Sequence, residues 1–140
     1  IVKILNELIA LINPHADLNG IKIYLRVLKD SPQISVDKDK LKQALLNIII
    51  NAIEVMTGGG DINIIISHND GYLNISIKDT GPGIPSEQHD KIFDLFHSTK
   101  SGGTGVGLAI TKNIIQAHGG NIRYKDQNNS AEFIIELPLS

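Results

Sequence analysis

The sequence predicts a two-layer α/β sandwich (α+β), in which a mixed sheet of about five strands is covered on one face by three helices. Several segments alternate apolar and polar residues with the period of half-buried strands, and three longer segments have the apolar period of helices. Strands with one apolar face need helices to cover that face. The length of 140 residues is that of a single domain.

The first two predicted elements are a helix and a strand. Ile1–Ile12 has the apolar period of a helix, and we expect this helix to stop at Asn13-Pro14. Ile21–Val27 alternates apolar residues with Lys, Tyr and Arg, as a half-buried strand does.

The next helix, Leu41–Val55, is apolar around most of its circumference, so we expect it to be buried after a cap at Asp37 or Asp39. Two apolar stripes flank a narrow polar line on one helix face. Because buried polar groups without partners cost on the order of 1–3 kcal/mol each, we expect the chemistry to lie along this line. The line consists of Gln43, Asn47, Asn51 and Glu54.

The rest of the chain predicts four strands and two helical segments. Asn69-Asp70-Gly71 between two alternating segments is typical of a β-hairpin. The glycine-rich loop Ser101–Gly107 leads into the last helix. The predicted strands are Asp61–His68, Tyr72–Lys78, Asn121–Lys125 and Phe133–Leu137, and the predicted helices are Ser86–Ile92 and Leu108–His118.

Composition and charge exclude several functions. The net charge of −2 argues against binding to nucleic acid or to an anionic membrane surface. The absence of cysteine excludes disulfides, thiolate catalysis and cysteine-bound metals. No apolar run approaches the roughly 20 residues of a membrane span. The absence of cysteine also fits a cytoplasmic protein. Because the chain begins inside an apolar-periodic segment without an initiator Met, we expect a fragment of a longer protein, whose parent could be membrane-anchored.

Three sites could together hold a nucleotide. Asp79 ends a strand, and its carboxylate can accept a hydrogen bond from an exocyclic amine such as that of adenine. Gly105 and Gly107 lie at a helix start, which favours phosphate. Asn51 offers a carbonyl oxygen to Mg²⁺, which takes few protein oxygens besides phosphates and waters. Leu108 stands where a Walker A lysine or the third Rossmann glycine would be needed, so neither motif fits.

Four motifs, in this order, resemble the N, G1, F and G2 boxes of the ATP-binding domain of sensor histidine kinases, in the GHKL (Bergerat) superfamily. They are NIIINAIEVM (Asn47–Met56), DTGPGI (Asp79–Ile84), KIFDLFHSTK (Lys91–Lys100) and GGTGVGLAITKNIIQAHGG (Gly102–Gly120). EFIIELP (Glu132–Pro138) resembles the closing strand of that domain. The resemblance covers nearly the whole chain and is closest in style to the sporulation and nitrogen-regulator kinases. It implies a Bergerat fold, one ATP-binding domain over residues 1–140 and no phosphoacceptor domain in the chain.

The resemblance implies a role for each matching residue. Asn51 would coordinate Mg²⁺ at the phosphates of ATP, with Asn47 in support. Asp79 would read the adenine amino group. The implied catalytic residues are Asn47, Asn51 and Lys100. The implied nucleotide contacts are Asn47, Asn51, Glu54, Asp79, Gly81, Gly83, Ile84, Phe96, Lys100, Gly103, Thr104, Gly105, Val106, Gly107 and Leu108.

The resemblance also implies a lid over the nucleotide, roughly residues 93–104. Phe93 and Phe96 would anchor this lid, and Lys100 would reach the terminal phosphates from it. Glu54 departs from the pattern, because other subgroups have Lys or Arg at that position.

One position distinguishes between reactions. The related gyrase-type, mismatch-repair and anti-sigma-factor proteins have a Glu one helical turn before the metal Asn, where it acts as a base for water or a serine hydroxyl. This sequence has Asn47 there, and an amide is not a useful base near neutral pH. A neutral imidazole already carries a free lone pair, so we expect transfer of the γ-phosphoryl group to a histidine. The alternatives are a GHKL-type ATPase or protein-serine kinase, and a nucleotide-sensing regulatory module without transfer activity.

The acceptor histidine is expected outside this chain. The resemblance implies a histidine on a dimerisation domain of the same protein, and a response regulator as the downstream partner. None of the histidines here has the expected helical-hairpin context, and we expect the fragment to be monomeric. They are His15, His68, His89, His97 and His118.

Overall fold

The computed structural model describes residues 1–28, 33–83, 91–93, 107–126 and 130–139. Within these ranges the chain forms three α-helices and five strands. In chain order they are α1 (Val2–Leu18), β1 (Ile21–Val27), α2 (Lys38–Val55), β2 (Gly60–Asn69), β3 (Tyr72–Asp79), α3 (Gly107–Ala117), β4 (Asn121–Asp126) and β5 (Ala131–Pro138).

The five strands form one mixed sheet in the order β1-β2-β3-β5-β4. The β1–β2 pair is parallel, and the other three pairs are antiparallel. Parallel neighbours need a crossover connection, which α2 provides between β1 and β2. Buried apolar side chains alternate along β2, β3 and β5 and join the helices in one core. The predicted two-layer sandwich is confirmed.

The predicted end of the first helix is wrong. Helix α1 continues through Pro14 to Leu18, although proline removes a hydrogen bond in a helix interior. The apolar stripe continues across the proline, because Ile12 and Ala16 are both buried on the same face. Burial of Ala16 favours four more helical residues, while Pro14 itself lies on the exposed side.

Helix α2 is not buried all round. Its inner face is one continuous apolar stripe, and the predicted polar line lies outside that stripe. Gln43 and Glu54 are exposed, and Asn47 and Asn51 are half-buried. Helices α1 and α3 and strand β3 contact α2, yet Gln43 and Glu54 stay exposed, which residue periodicity alone does not reveal. The fully covered residues are Leu41, Ala44, Leu45, Ile48, Ile49, Ala52 and Ile53.

Two local predictions are confirmed. Asp37 caps α2, since its Oδ1 accepts a hydrogen bond from the Lys40 N–H at 3.1 Å. The β2–β3 hairpin turns at Asp70 and Gly71, which have φ values of 49° and 83°. Such paired positive φ angles are typical of the tight turns that Asn, Asp and Gly favour. Most of the predicted helix Ser86–Ile92 lies outside the described residues.

Candidate nucleotide-binding site

Asp79 is a buried carboxylate at the end of β3. It is only 3% exposed and pairs in register with Ile62 on β2 and Ala131 on β5. Its Oδ1 accepts a hydrogen bond from the Gly81 N–H at 2.8 Å. Within the described part of the chain no second donor reaches this carboxylate. One oxygen is therefore held by the following turn, and the other has no hydrogen-bond donor among the described residues.

The environment of Asp79 opposes its charge. Burial raises the pKa of the Asp79 carboxyl above its ordinary value, and the hydrogen bond from Gly81 offsets part of that rise. A buried carboxylate with an unfilled acceptor position gains more from a donor than an exposed one does.

The turn after Asp79 packs tightly against the end of α2. A Cβ atom at Gly81 would lie 2.9 Å from Asp79 Oδ1, 3.1 Å from Met56 Cγ and 3.4 Å from Val55 Cγ2. Gly83 has a φ of 79°, which a residue with a side chain rarely adopts. The backbone conformation favours glycine at position 83, and the neighbouring side chains leave little room for a side chain at position 81.

Asn47 joins α2 to the start of α3. Its Nδ2 donates to the Gly107 carbonyl oxygen at 3.2 Å and to Thr111 Oγ1 at 3.4 Å. Asn51 follows one turn later on the same helix face, half-buried and without a hydrogen bond to any residue that the structure describes. Asn51 thus has no hydrogen-bonding partner among the described residues, and it lies one helical turn beyond the contact of Asn47 with Gly107.

Thr111 belongs to this connection and was missed by sequence reasoning. It is fully buried, and its hydroxyl lies 2.9 Å from the Gly107 carbonyl oxygen and 3.3 Å from that of Ala44. A threonine within the otherwise apolar inner face of α3 was the available signal, since a buried hydroxyl needs a partner.

Comparison with known proteins places the chain in a family. The model for histidine kinase-, DNA gyrase B- and HSP90-like ATPases matches residues 36–140. The chain belongs to this family. Sporulation kinase A of Bacillus subtilis (strain 168) is 42% identical over 86% of the chain. The sensor histidine kinase ZraS of Escherichia coli (strain K12) is 34% identical over 98% of it. The chain spans 20% and 30% of the lengths of these two relatives.

Solved histidine kinases have the same fold. The nucleotide-free catalytic domain of ThkA superposes with a TM-score of 0.91 at 31% identity, over 99% of this chain and 92% of that one. Full-length ShkA in complex with AMPPNP gives 0.90 at 34% identity, over 99% and 30%. ThkA in complex with the response regulator protein TrrA gives 0.87 at 28% identity, over 100% and 40%. The chain thus corresponds to the catalytic ATP-binding part of histidine kinases, and the recognised resemblance is confirmed.

Several residues implied for the ATPase domain lie outside the described residues. Those that are described lie along α2, at the end of β3 and at the start of α3, where Leu108 is half-buried. The implied contacts outside are Ile84, Phe96, Lys100, Gly103, Thr104, Gly105 and Val106.

Phe93, the predicted lid anchor, packs on the sheet of the ATPase domain. Its ring makes an edge contact with Phe133 of β5, with centroids 6.1 Å apart. Lys112 Nζ on α3 lies 5.7 Å from the Phe93 ring centroid. Phe93 therefore joins the start of the segment 93–104 to both layers of the fold.

The described residues offer no dense acidic metal site. No group of three or more His, Cys, Asp or Glu side chains lies close enough to hold an ion in the described ranges. An amide oxygen such as that of Asn51 fits Mg²⁺ that is held mostly by phosphates and waters. None of the helices in the described part of the chain combines the length and hydropathy needed to span a bilayer.

Proposed function

We propose that the chain binds Mg-ATP and donates its γ-phosphoryl group to a histidine on a separate dimerisation domain of the same protein. One observation carries the proposal. The end of α2 lies against the turn after Asp79, a buried carboxylate that is held through one oxygen only. The same helix carries half-buried amides, of which Asn47 contacts the start of α3. Membership of the ATPase family supports a nucleotide at this position.

Asp79 selects the base in this proposal. Its free oxygen accepts from the 6-amino group of adenine, while Gly81 holds the other oxygen. A guanine or hypoxanthine base has an oxygen at position 6 and would place acceptor against acceptor. The buried site therefore favours adenine over these bases.

In this proposal Asn51 coordinates Mg²⁺, and Asn47 supports the coordination of the same ion. Bound Mg²⁺ would neutralise charge on the phosphates. The remaining implied contacts, including Lys100 and the glycines of the segment 103–107, are proposed to enclose the phosphates. The start of α3 is suited to phosphate through its free N–H groups and dipole.

The reaction needs positioning more than a base. The bond between the γ-phosphorus and the β–γ bridging oxygen breaks, a P–N bond forms to the imidazole, ADP leaves and the ring proton passes to solvent. Asn47 offers no basic atom, and its amide nitrogen is already engaged by α3. This turn of α2 therefore offers water no base, which favours transfer over hydrolysis.

The partners follow from this reaction. A histidine-bearing dimerisation domain is the acceptor, and a response regulator takes the group afterwards. ThkA, solved with TrrA, supports the second partner. We further propose that residues 1–140 act as one ATP-binding domain, that the chain is monomeric without the dimerisation domain, and that it works in the cytoplasm.

Labelled ATP tests the proposal directly. The chain is incubated with Mg²⁺ and γ-labelled ATP, with and without the dimerisation domain of its parent protein. Acid-labile label on the added domain, absent with the Asn51→Ala variant, is the expected result. Brisk steady-state phosphate release by the chain alone, or label on serine, would contradict it.

A further inference from the structure

We propose that Met56 is a positioning residue for nucleotide selection, because its side chain fixes the turn 79–81 and so aims the free oxygen of Asp79. The inference rests on the proposed function, since it concerns a base bound at Asp79. Met56 directly follows α2 and is only 3% exposed. It lies between the start of β2 at Gly60 and the turn 79–81, so its buried side chain can pack against both.

Thr80 connects Met56 to the sheet. The Thr80 hydroxyl donates to Met56 Sδ at 3.7 Å and accepts from the Asp61 N–H at 3.1 Å. The Thr80 N–H in turn donates to the Asp61 carbonyl oxygen at 3.2 Å. Thr80 is thereby held from β2 through both its backbone and its side chain, and the thioether completes its hydroxyl bonding.

Two glycines allow the backbone to close on the thioether. A Cβ atom at Gly60 would lie 2.8 Å from Met56 Sδ and 2.5 Å from Thr80 Oγ1. At Gly81 a Cβ atom would lie 3.1 Å from Met56 Cγ. A side chain at Gly60 would displace Met56 or Thr80, and one at Gly81 would press on both Met56 and the Asp79 carboxylate. The methionine side chain therefore fills the space between the start of β2 and the turn after β3.

This contact sets the direction of the Asp79 carboxylate. Gly81, which rests on Met56, donates the hydrogen bond that holds Asp79 Oδ1. A smaller side chain at position 56 would let the turn relax toward α2 and rotate the free oxygen. Because α2 also carries Asn51, Met56 sets the distance between Asp79, which binds the base, and Asn51, the proposed metal ligand.

Selectivity at purine position 6 separates this role from a merely structural one. The affinities of the chain for Mg-ATP and Mg-ITP, whose bases differ at position 6 and in the proton on the adjacent N1, are measured for wild type, Met56→Ala, Met56→Leu and Leu8→Ala. Leu8 is a buried core residue of α1 and serves as the control for lost packing. We expect the ratio of the two affinities to fall about tenfold in Met56→Ala, equivalent to one lost hydrogen bond to a charged group. Leu8→Ala should keep the wild-type ratio, and Met56→Leu should recover most of it.

The outcomes separate the two proposals. A wild-type ratio in Met56→Ala, with normal ATP binding by the wild type, overturns the role of Met56 alone. A wild type that binds no ATP overturns the proposed function and this inference with it.

If Met56→Ala does not fold, a measurement on the wild type tests the inference instead. The chain has one methionine, so ¹³C-methyl labelling gives a single signal once residues added for expression are removed. We expect Mg-ATP to shift this signal strongly and Mg-ITP or tripolyphosphate to shift it little. Equal shifts with all three ligands overturn the inference.

Discussion

The Asn47 side-chain nitrogen on α2 donates to the carbonyl oxygen of Gly107, the first residue of α3, at 3.2 Å. A carbonyl oxygen only accepts hydrogen bonds, so the amide must turn its NH₂ group toward α3. The amide oxygen takes no part in these contacts. Asn47 thus fixes the two helices together while keeping an oxygen for the proposed metal shell.

Replacing this donor by an acceptor should destabilise the fold. In Asn47→Asp a carboxylate oxygen would face the Gly107 carbonyl, and the hydrogen bond to that carbonyl would be lost. We expect the free energy of unfolding to fall by about 1–3 kcal/mol. Urea denaturation followed by circular dichroism measures the change. Gln43→Glu, an exposed acidic substitution on the same helix, is the matched control and should stay within about 0.5 kcal/mol of wild type.

Asp79→Asn should separate stability from binding. The pKa of Asp79 is raised in the folded chain, so its ionisation opposes folding: stability is fully present below the unfolded pKa and is lost as pH rises through the folded pKa. We therefore expect Asp79→Asn to be more stable than wild type at neutral pH, with the difference vanishing in acid. Unfolding curves between pH 3 and pH 8 test this, and a difference that grows in acid would refute the sign.

The same variant should lose nucleotide affinity without unfolding. Its amide group can still accept from Gly81 through one oxygen, but the other position becomes an NH₂ donor facing the adenine amine. Calorimetric titration with Mg-ATP should show no measurable binding. Unchanged affinity would refute the assignment of Asp79 to the base.

His118 should contribute to stability through both ring nitrogens. Nδ1 lies 2.7 Å from the Ile114 carbonyl oxygen, and Nε2 accepts from the Asp37 N–H at 2.9 Å. The ring thus connects the end of α3 to the cap of α2, as a neutral tautomer protonated on Nδ1. We expect His118→Ala to lose about 1–3 kcal/mol in urea denaturation. His15→Ala, at an exposed histidine of α1, should change little; equal losses would contradict the assigned contacts.

Asn51→Ala should weaken only the magnesium-dependent part of ATP affinity. Asn51 makes no hydrogen bond within the described chain, so its removal leaves no described partner unsatisfied. ATP affinity is measured with excess Mg²⁺ and with EDTA for both proteins. We expect the enhancement by Mg²⁺ to shrink about tenfold or more in the variant, with the EDTA value unchanged. A parallel loss in EDTA would instead indicate a contact with the nucleotide itself.

The fold was predictable where the signal is local. The Asp37 cap and the turn at Asp70 and Gly71 depend on residues next to each other in the chain. The continuation of α1 through Pro14 depends on burial of Ala16, which is set by distant parts of the chain. The apolar period of α2 predicted which of its residues share a face. It did not predict which of these faces the neighbouring elements bury.

The site was predictable as a set of residues and not as a network. The resemblance indicated Asn47, Asn51 and Asp79 by position. It could not indicate that Asn47 bonds a threonine 64 residues later, or that Thr80 meets a thioether 24 residues earlier. Such contacts are created by folding, so residue spacing carries no signal for them.

The position of the bound nucleotide tests the central claim most directly. A crystal structure of the chain grown with Mg²⁺ and a non-hydrolysable ATP analogue should show the 6-amino group within hydrogen-bonding distance of the free Asp79 oxygen, and the metal beside Asn51. An analogue bound at another surface, or a base turned away from Asp79, would contradict the account.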